Sequence, residues 1–161
     1  MQINLSENAL CGINRYGEGT YTADGIKAIA ESISVSPSVT SIDVGYNSID
    51  QAASLKLLAA MKGKHMVSIG MAYCKLGVEG SKVVAEMISV MTSLTSINLV
   101  FNDLGSEGAN ALAPAINDSA SVTSINLLKN GFDTEAALML LKVKEQKPML
   151  RTLCGLTHAE T

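Results

Sequence analysis

A spacing of 27 or 28 residues recurs through this chain, and it restricts the possible folds more than any other feature. Val39, Ile42, Val44, Asn47 and Ile49 set the pattern. It returns as Met66, Ile69, Met71, Cys74 and Leu76, then as Leu94, Ile97, Leu99, Asn102 and Leu104, and again as Val122, Ile125, Leu127, Asn130 and Phe132. The starts at 39, 66, 94 and 122 give steps of 27, 28 and 28. A leading copy reads Ile3, Leu5, Asn8 and Leu10, and an incomplete one begins at Leu150 and Leu153. A unit this short cannot bury an apolar face alone and does so only by stacking on its neighbours. The chain is therefore expected to be one domain over 1–161, an array of about five to six stacked units.

Each unit divides into two halves. Thr40, Ser41, Ile42, Asp43 and Val44 alternate polar and apolar, the period of a strand with one buried face. Equivalent strands fall near 2–6, 67–71, 95–99, 123–127 and 151–154. Every strand is followed by a crossover, so successive copies pair in parallel. The second half is helical: Ile26, Ile29, Ala30 and Ile33 form one stripe, and Ser54–Met61, Glu79–Ile88 and Glu107–Ile116 have the same character. Ser106 and Thr134 occupy the expected N-cap positions. Pro114 falls inside a helical segment and predicts a bend or a late start. Small residues six positions after the Asn (Ala53, Gly80, Gly108 and Ala136) would let each helix approach the strand layer.

The Asn positions have a physical task. Where the chain leaves a strand, backbone N–H and C=O groups lose their partners, and a buried amide can both donate and accept. Asn8, Asn47, Asn102 and Asn130 would form such a ladder, with Cys74 as its interruption.

The segments Leu94-Thr-Ser-Ile-Asn-Leu-Val-Phe-Asn-Asp-Leu104 and Gly105-Ser-Glu-Gly-Ala-Asn-Ala-Leu-Ala113 carry a resemblance to leucine-rich repeats of the ribonuclease-inhibitor-like class. The resemblance covers nearly the whole chain. It implies an α/β solenoid of horseshoe shape, with a parallel sheet on the concave face and helices on the convex face. It also implies terminal caps, and none is evident at either end. Three outcomes are open: a fragment of a longer array, self-association through uncapped ends, or an irregular cap formed by Arg151–Thr161.

The first unit departs from the pattern. Seventeen residues separate Asn8 from Gly25, against six from Asn102 to Gly108, a surplus of 11 within Cys11–Thr22. This glycine-rich stretch reads as an excursion loop, either a tolerated surface insertion or a carrier of binding residues.

Little in the composition suggests chemistry. Net charge is −3, with two arginines and scattered lysines, which argues against nucleic acid. No apolar run reaches the roughly 20 residues of a membrane span. An odd count of three cysteines and no visible signal peptide point to a reducing, cytoplasmic setting. The spacings of metal sites and phosphate loops are absent, so neither a metal nor a cofactor is expected. His158, four residues from Cys154, falls at the ladder position of the last unit and reads as a substitute for Asn there rather than as half of a Cys–His pair.

The inner surface can be written as columns. The fifth repeat position gives Asn4, Asp43, Gly70, Asn98, Asn126 and Cys154; the seventh gives Ser6, Gly45, Ala72, Val100 and Leu128; the eighth gives Glu7, Tyr46, Tyr73, Phe101 and Lys129. Three of the chain's six aromatic residues thus lie in consecutive repeats. Two readings of this strip stand side by side: a protein contact, or packing under the neighbouring loop. The candidate partner-binding residues are Asp43, Tyr46, Tyr73, Asn98, Val100, Phe101, Asn126, Leu128 and Lys129. Members of the resembling class include ribonuclease inhibitor, the sensor halves of nucleotide-binding immune receptors and tropomodulin-like actin-capping domains. The resemblance implies a non-catalytic module that binds a protein partner not specified by the sequence. Two alternatives are a GTPase activator like the one acting on Ran, and a self-assembling structural piece.

Overall fold

A computed structural model describes residues 1–154 and the backbone of 156 and 157. Strand and helix alternate through the chain: β1 (Gln2–Asn4), α1 (Asp24–Val35), β2 (Ser41–Asp43), α2 (Gln51–Met61), β3 (Ser68–Gly70), α3 (Gly77–Val90), β4 (Ser96–Asn98), α4 (Gly105–Asp118), β5 (Ser124–Asn126), α5 (Thr134–Gln146), β6 (Thr152–Leu153) and β7 (Leu156–Thr157). The first six strands pair in parallel in sequence order. The register matches the repeat: Ser41, Ser68, Ser96, Ser124 and Thr152 lie side by side, as do Ile42, Ile69, Ile97, Ile125 and Leu153. The second set is buried and faces the helices. The serines face away and are half-buried, as the alternation requires. The architecture is the α/β leucine-rich-repeat solenoid expected from the spacing.

The ladder forms. Asn47, Asn102 and Asn130 are buried, and each serves the turn of the preceding unit. Asn130 Oδ1 accepts from the N–H of Asn102 at 2.8 Å, while its Nδ2 donates to the carbonyls of Leu99 and Leu127, each at 2.9 Å. Asn47 does the same for Asn8 and Leu10. Cys74 keeps the position but not the bonds: its thiol reaches only the Ala72 carbonyl, at 3.5 Å.

Helix starts differ from those expected. Ser106 and Thr134 lie inside α4 and α5. The caps are Asp50 and Asp133, whose carboxylates accept from the N–H of Ala53 and Ala136, each at 2.8 Å. The equivalent position is glycine in the two middle units, Gly77 and Gly105, at φ 58° and 61°. There the left-handed backbone, natural only to glycine, replaces the side-chain cap. Ser106 instead accepts from the N–H of Asp133 in the next unit, at 3.1 Å. Helix α4 starts early rather than late and runs through Pro114. The N–H that Pro114 lacks would have bonded to the carbonyl of Asn110, which is exposed and open to water. Gly80 and Gly108 are small because of Leu76, Leu104 and the neighbouring helix, not the strand layer. A Cβ at Gly80 would lie 2.5 Å from Leu76 Cβ, and one at Gly108 would lie 2.5 Å from Ser81 Oγ.

The last unit ends in a reversal. Cys154 takes φ 52° and turns the chain back, so that β7 pairs antiparallel with β6. Cys154 is therefore a turn residue, not the sixth member of a sheet-face column. His158 lies outside the described residues.

Candidate functional site

The surplus residues of the first unit form an ordered hairpin. Ile13 bridges Gly19 in antiparallel fashion. The Asn14 side chain organises the tip, with Oδ1 accepting from the N–H of Tyr16 (2.9 Å) and Glu18 (3.0 Å) and Nδ2 donating to the Glu18 carboxylate at 2.9 Å. The two arms close on each other at Gly12, where a Cβ would strike the Thr20 carbonyl at 2.3 Å. The base is tied by Thr22 N–H donating to the Cys11 carbonyl at 2.9 Å. Tyr21 stands beside Asp50, and burial together with that carboxylate pushes its phenol up to about 12. Asp50 itself is held below the usual carboxylate range, chiefly by the N–H of Ala53.

The aromatic column stands just past the carboxyl ends of the strands. Tyr46 and Tyr73 are stacked, with ring centroids 6.0 Å apart and planes within 11°. Phe101 meets Tyr73 edge-on at 6.4 Å. The three rings remain 44%, 48% and 45% exposed in chain order. All three residues sit in the left-handed region, at φ 58°, 56° and 56°. Bulky residues adopt that region at a cost, and Glu7 and Lys129 share it at the equivalent positions, so the repeat imposes it.

The hairpin and the column face each other. Between them lies a groove of about 550 Å³ lined by Ile13, Arg15, Tyr16, Gly17, Tyr46 and Ser48 together with Tyr73 and Phe101. The other candidate residues are placed elsewhere. Asp43, Asn98 and Asn126 lie half-buried on the open sheet face. Their side-chain oxygens accept from the N–H two residues on, at 2.9, 3.3 and 3.1 Å to Gly45, Val100 and Leu128. Val100 is half-buried. Leu128 and Lys129 line a separate apolar hollow of about 350 Å³ at the last unit, with Phe132, Leu140, Leu141 and Leu153. The contribution of Arg15 and Tyr16 was not readable from the repeat, because an insertion has no register.

Cys11 and Cys74 are buried, and burial raises both thiols above their usual range. Among the described residues no group of His, Cys, Asp and Glu could hold a metal ion, and no helix is long and apolar enough to cross a membrane.

A repeat of this length, a parallel sheet backed by helices and an Asn ladder give this chain the leucine-rich-repeat fold. The family model described as "Leucine Rich repeat" matches residues 90–113. Among solved structures, the chain is similar to leiomodin-1 actin-binding site 2, at 9% identity and a TM-score of 0.68, over 91% of this chain and 80% of that one. It is also similar to the tropomodulin C-terminal domain of Caenorhabditis elegans, at 12% identity and a TM-score of 0.65, over 92% of this chain and 84% of that one. No curated protein matches the chain.

Proposed function

We propose that this protein is a non-catalytic interaction module that binds a protein partner along the aromatic rim formed by Tyr46, Tyr73 and Phe101. The observation that carries this reading is the exposure of the stack. Three large rings are held half in water, on backbone that would suit glycine or asparagine better. The repeat itself does not require an aromatic side chain at this position, which Glu7 and Lys129 also occupy. Aromatic residues clustered at an accessible rim supply much of the energy of protein interfaces. The polar sheet face beside them, with Asp43, Asn98 and Asn126, would supply the hydrogen-bonding border. Val100 would extend the contact, as would Leu128 and Lys129 where the partner reaches the last unit. The scaffold of one solved neighbour is an actin-binding site, which agrees with a protein as the class of partner. The three free thiols fit a reducing, cytoplasmic setting.

Site-specific photocrosslinking tests the location. A benzophenone amino acid at position 101 is expected to capture a protein partner, whereas the same group at Val90, exposed at the end of α3, should not. Equal capture from both positions would count against the rim.

A further inference from the structure

Resting on that reading of the rim, we infer that the groove between the hairpin and the aromatic column takes an extended, acidic segment of the partner, with one carboxylate bound by Arg15 and apolar side chains laid on the rings. Arg15 is the one charged side chain among the described residues that line the groove. It is also pre-positioned: Nη2 donates to Tyr16 Oη at 2.8 Å, and the guanidinium carbon stands 5.0 Å from the Tyr16 ring centroid. That uses one of five guanidinium donors and leaves the rest open to a carboxylate, the planar group that Arg recognises best.

The charge has no internal answer. Ion pairs among the described residues engage Lys27, Lys56, Lys62 and Lys82, and none engages Arg15. Glu18, in the same hairpin, is held by Asn14 and does not line the groove. Arg15 is exposed at the groove, on the Tyr16 ring, so its charge is open to an incoming carboxylate. The hairpin holds it in place through the bridge and side-chain bonds at its tip, so little ordering remains to be done on binding. The rings set the length of the occupant. Tyr46 to Phe101 spans roughly 12 Å by way of Tyr73, about four residues of extended chain at roughly 3.3 Å each. A groove open along that length suits a peptide segment better than a compact small molecule.

A library of random heptapeptides displayed on phage, selected in parallel against the intact chain, Arg15→Gln and Phe101→Asn, tests this. The intact chain should enrich peptides that carry Asp or Glu within a few residues of an aromatic or aliphatic side chain. Arg15→Gln should keep the apolar preference and lose the acidic one. The best synthetic peptide should bind that variant about tenfold more weakly, the loss expected for one charge-assisted contact. Peptides that need Phe101 but show no acidic preference, or one that survives Arg15→Gln, would overturn the inference and leave the rim intact. If no enriched peptide depends on Phe101, both readings fail.

Discussion

Asn102 accepts the N–H of Cys74 at 3.0 Å, and Cys74 does not pass the favour on: among the described residues, no side chain of its unit accepts from the N–H of Asn47 or Ile49. The ladder therefore has one broken rung, between the second and third units. Elsewhere an amide bonds the turn before it on two sides.

Restoring the rung should strengthen the fold. In Cys74→Asn the new amide oxygen would accept from Asn47 and Ile49, each bond contributing about 1 kcal/mol. Allowing for repacking, a net gain of about 1 kcal/mol is expected, or a rise of about 2–4 °C in Tm, read by thermal denaturation. A drop in Tm would mean that the site is shaped for a thiol. Asn102→Ala should lose about 3 kcal/mol, because it leaves buried groups of Met71, Cys74 and Leu76 unpaired.

Thiol chemistry should follow burial. Cys11 and Cys74 are fully buried and their thiols are raised by desolvation, so neither is a thiolate at neutral pH. A chromogenic disulfide reagent should leave both unmodified in the native protein and react with all three cysteines in denaturant. Rapid native labelling of Cys74 would contradict its role as a ladder residue.

Acid should weaken the helix starts. Asp50 and Asp133 are both held below the ordinary carboxylate range, first by the N–H of Ala53 and Ala136 and next by the hydroxyls of Tyr21 and Ser106. A depressed folded pKa contributes stability that is complete above the unfolded value of about 3.9 and is lost as pH falls through the lower, folded value. Urea midpoints should therefore be flat near neutrality and fall below about pH 5. Asp50→Asn, which keeps a capping oxygen, should show a shallower acid limb.

The hairpin should respond to its tip. Asn14→Ala removes the acceptor of two backbone N–H groups and the donor to Glu18. Because the tip is exposed, global stability should change by under about 1 kcal/mol. Amide exchange at Tyr16 and Glu18 should nevertheless quicken at least tenfold, and peptide binding in the groove should weaken with it. Unchanged exchange would mean that other contacts hold the loop.

Much of this was legible in the repeat. Strand register followed from Ser41, Ser68, Ser96 and Ser124, because a stacked unit leaves no other pairing for Ile42, Ile69, Ile97 and Ile125. Tyr46, Tyr73 and Phe101 came together for the same reason. The helix caps were misplaced because Asp50 and Asp133 alternate with Gly77 and Gly105, which end the turn by backbone conformation instead of a side chain. The reversal at Cys154 was hidden because Leu150 and Leu153 match the repeat until the chain turns. The hairpin's place beside the rim could not be read at all. Ile13 and Tyr16 line one groove with Tyr46, Tyr73 and Phe101, and Tyr21 stands beside Asp50, but nothing in the loop's local pattern encodes these neighbours.

The central claim is that the rim serves a partner and not the fold. The most direct test is affinity capture with the intact chain and with Tyr73→Ala/Phe101→Asn, quantified by mass spectrometry, alongside urea denaturation of both. The account predicts a partner lost at least tenfold by the double variant while its stability stays within about 2 kcal/mol of the intact chain, since each half-buried ring contributes only about 1 kcal/mol. A loss of several kcal/mol with partner capture unchanged in the folded fraction would show that the rings hold the solenoid together, and would contradict the account.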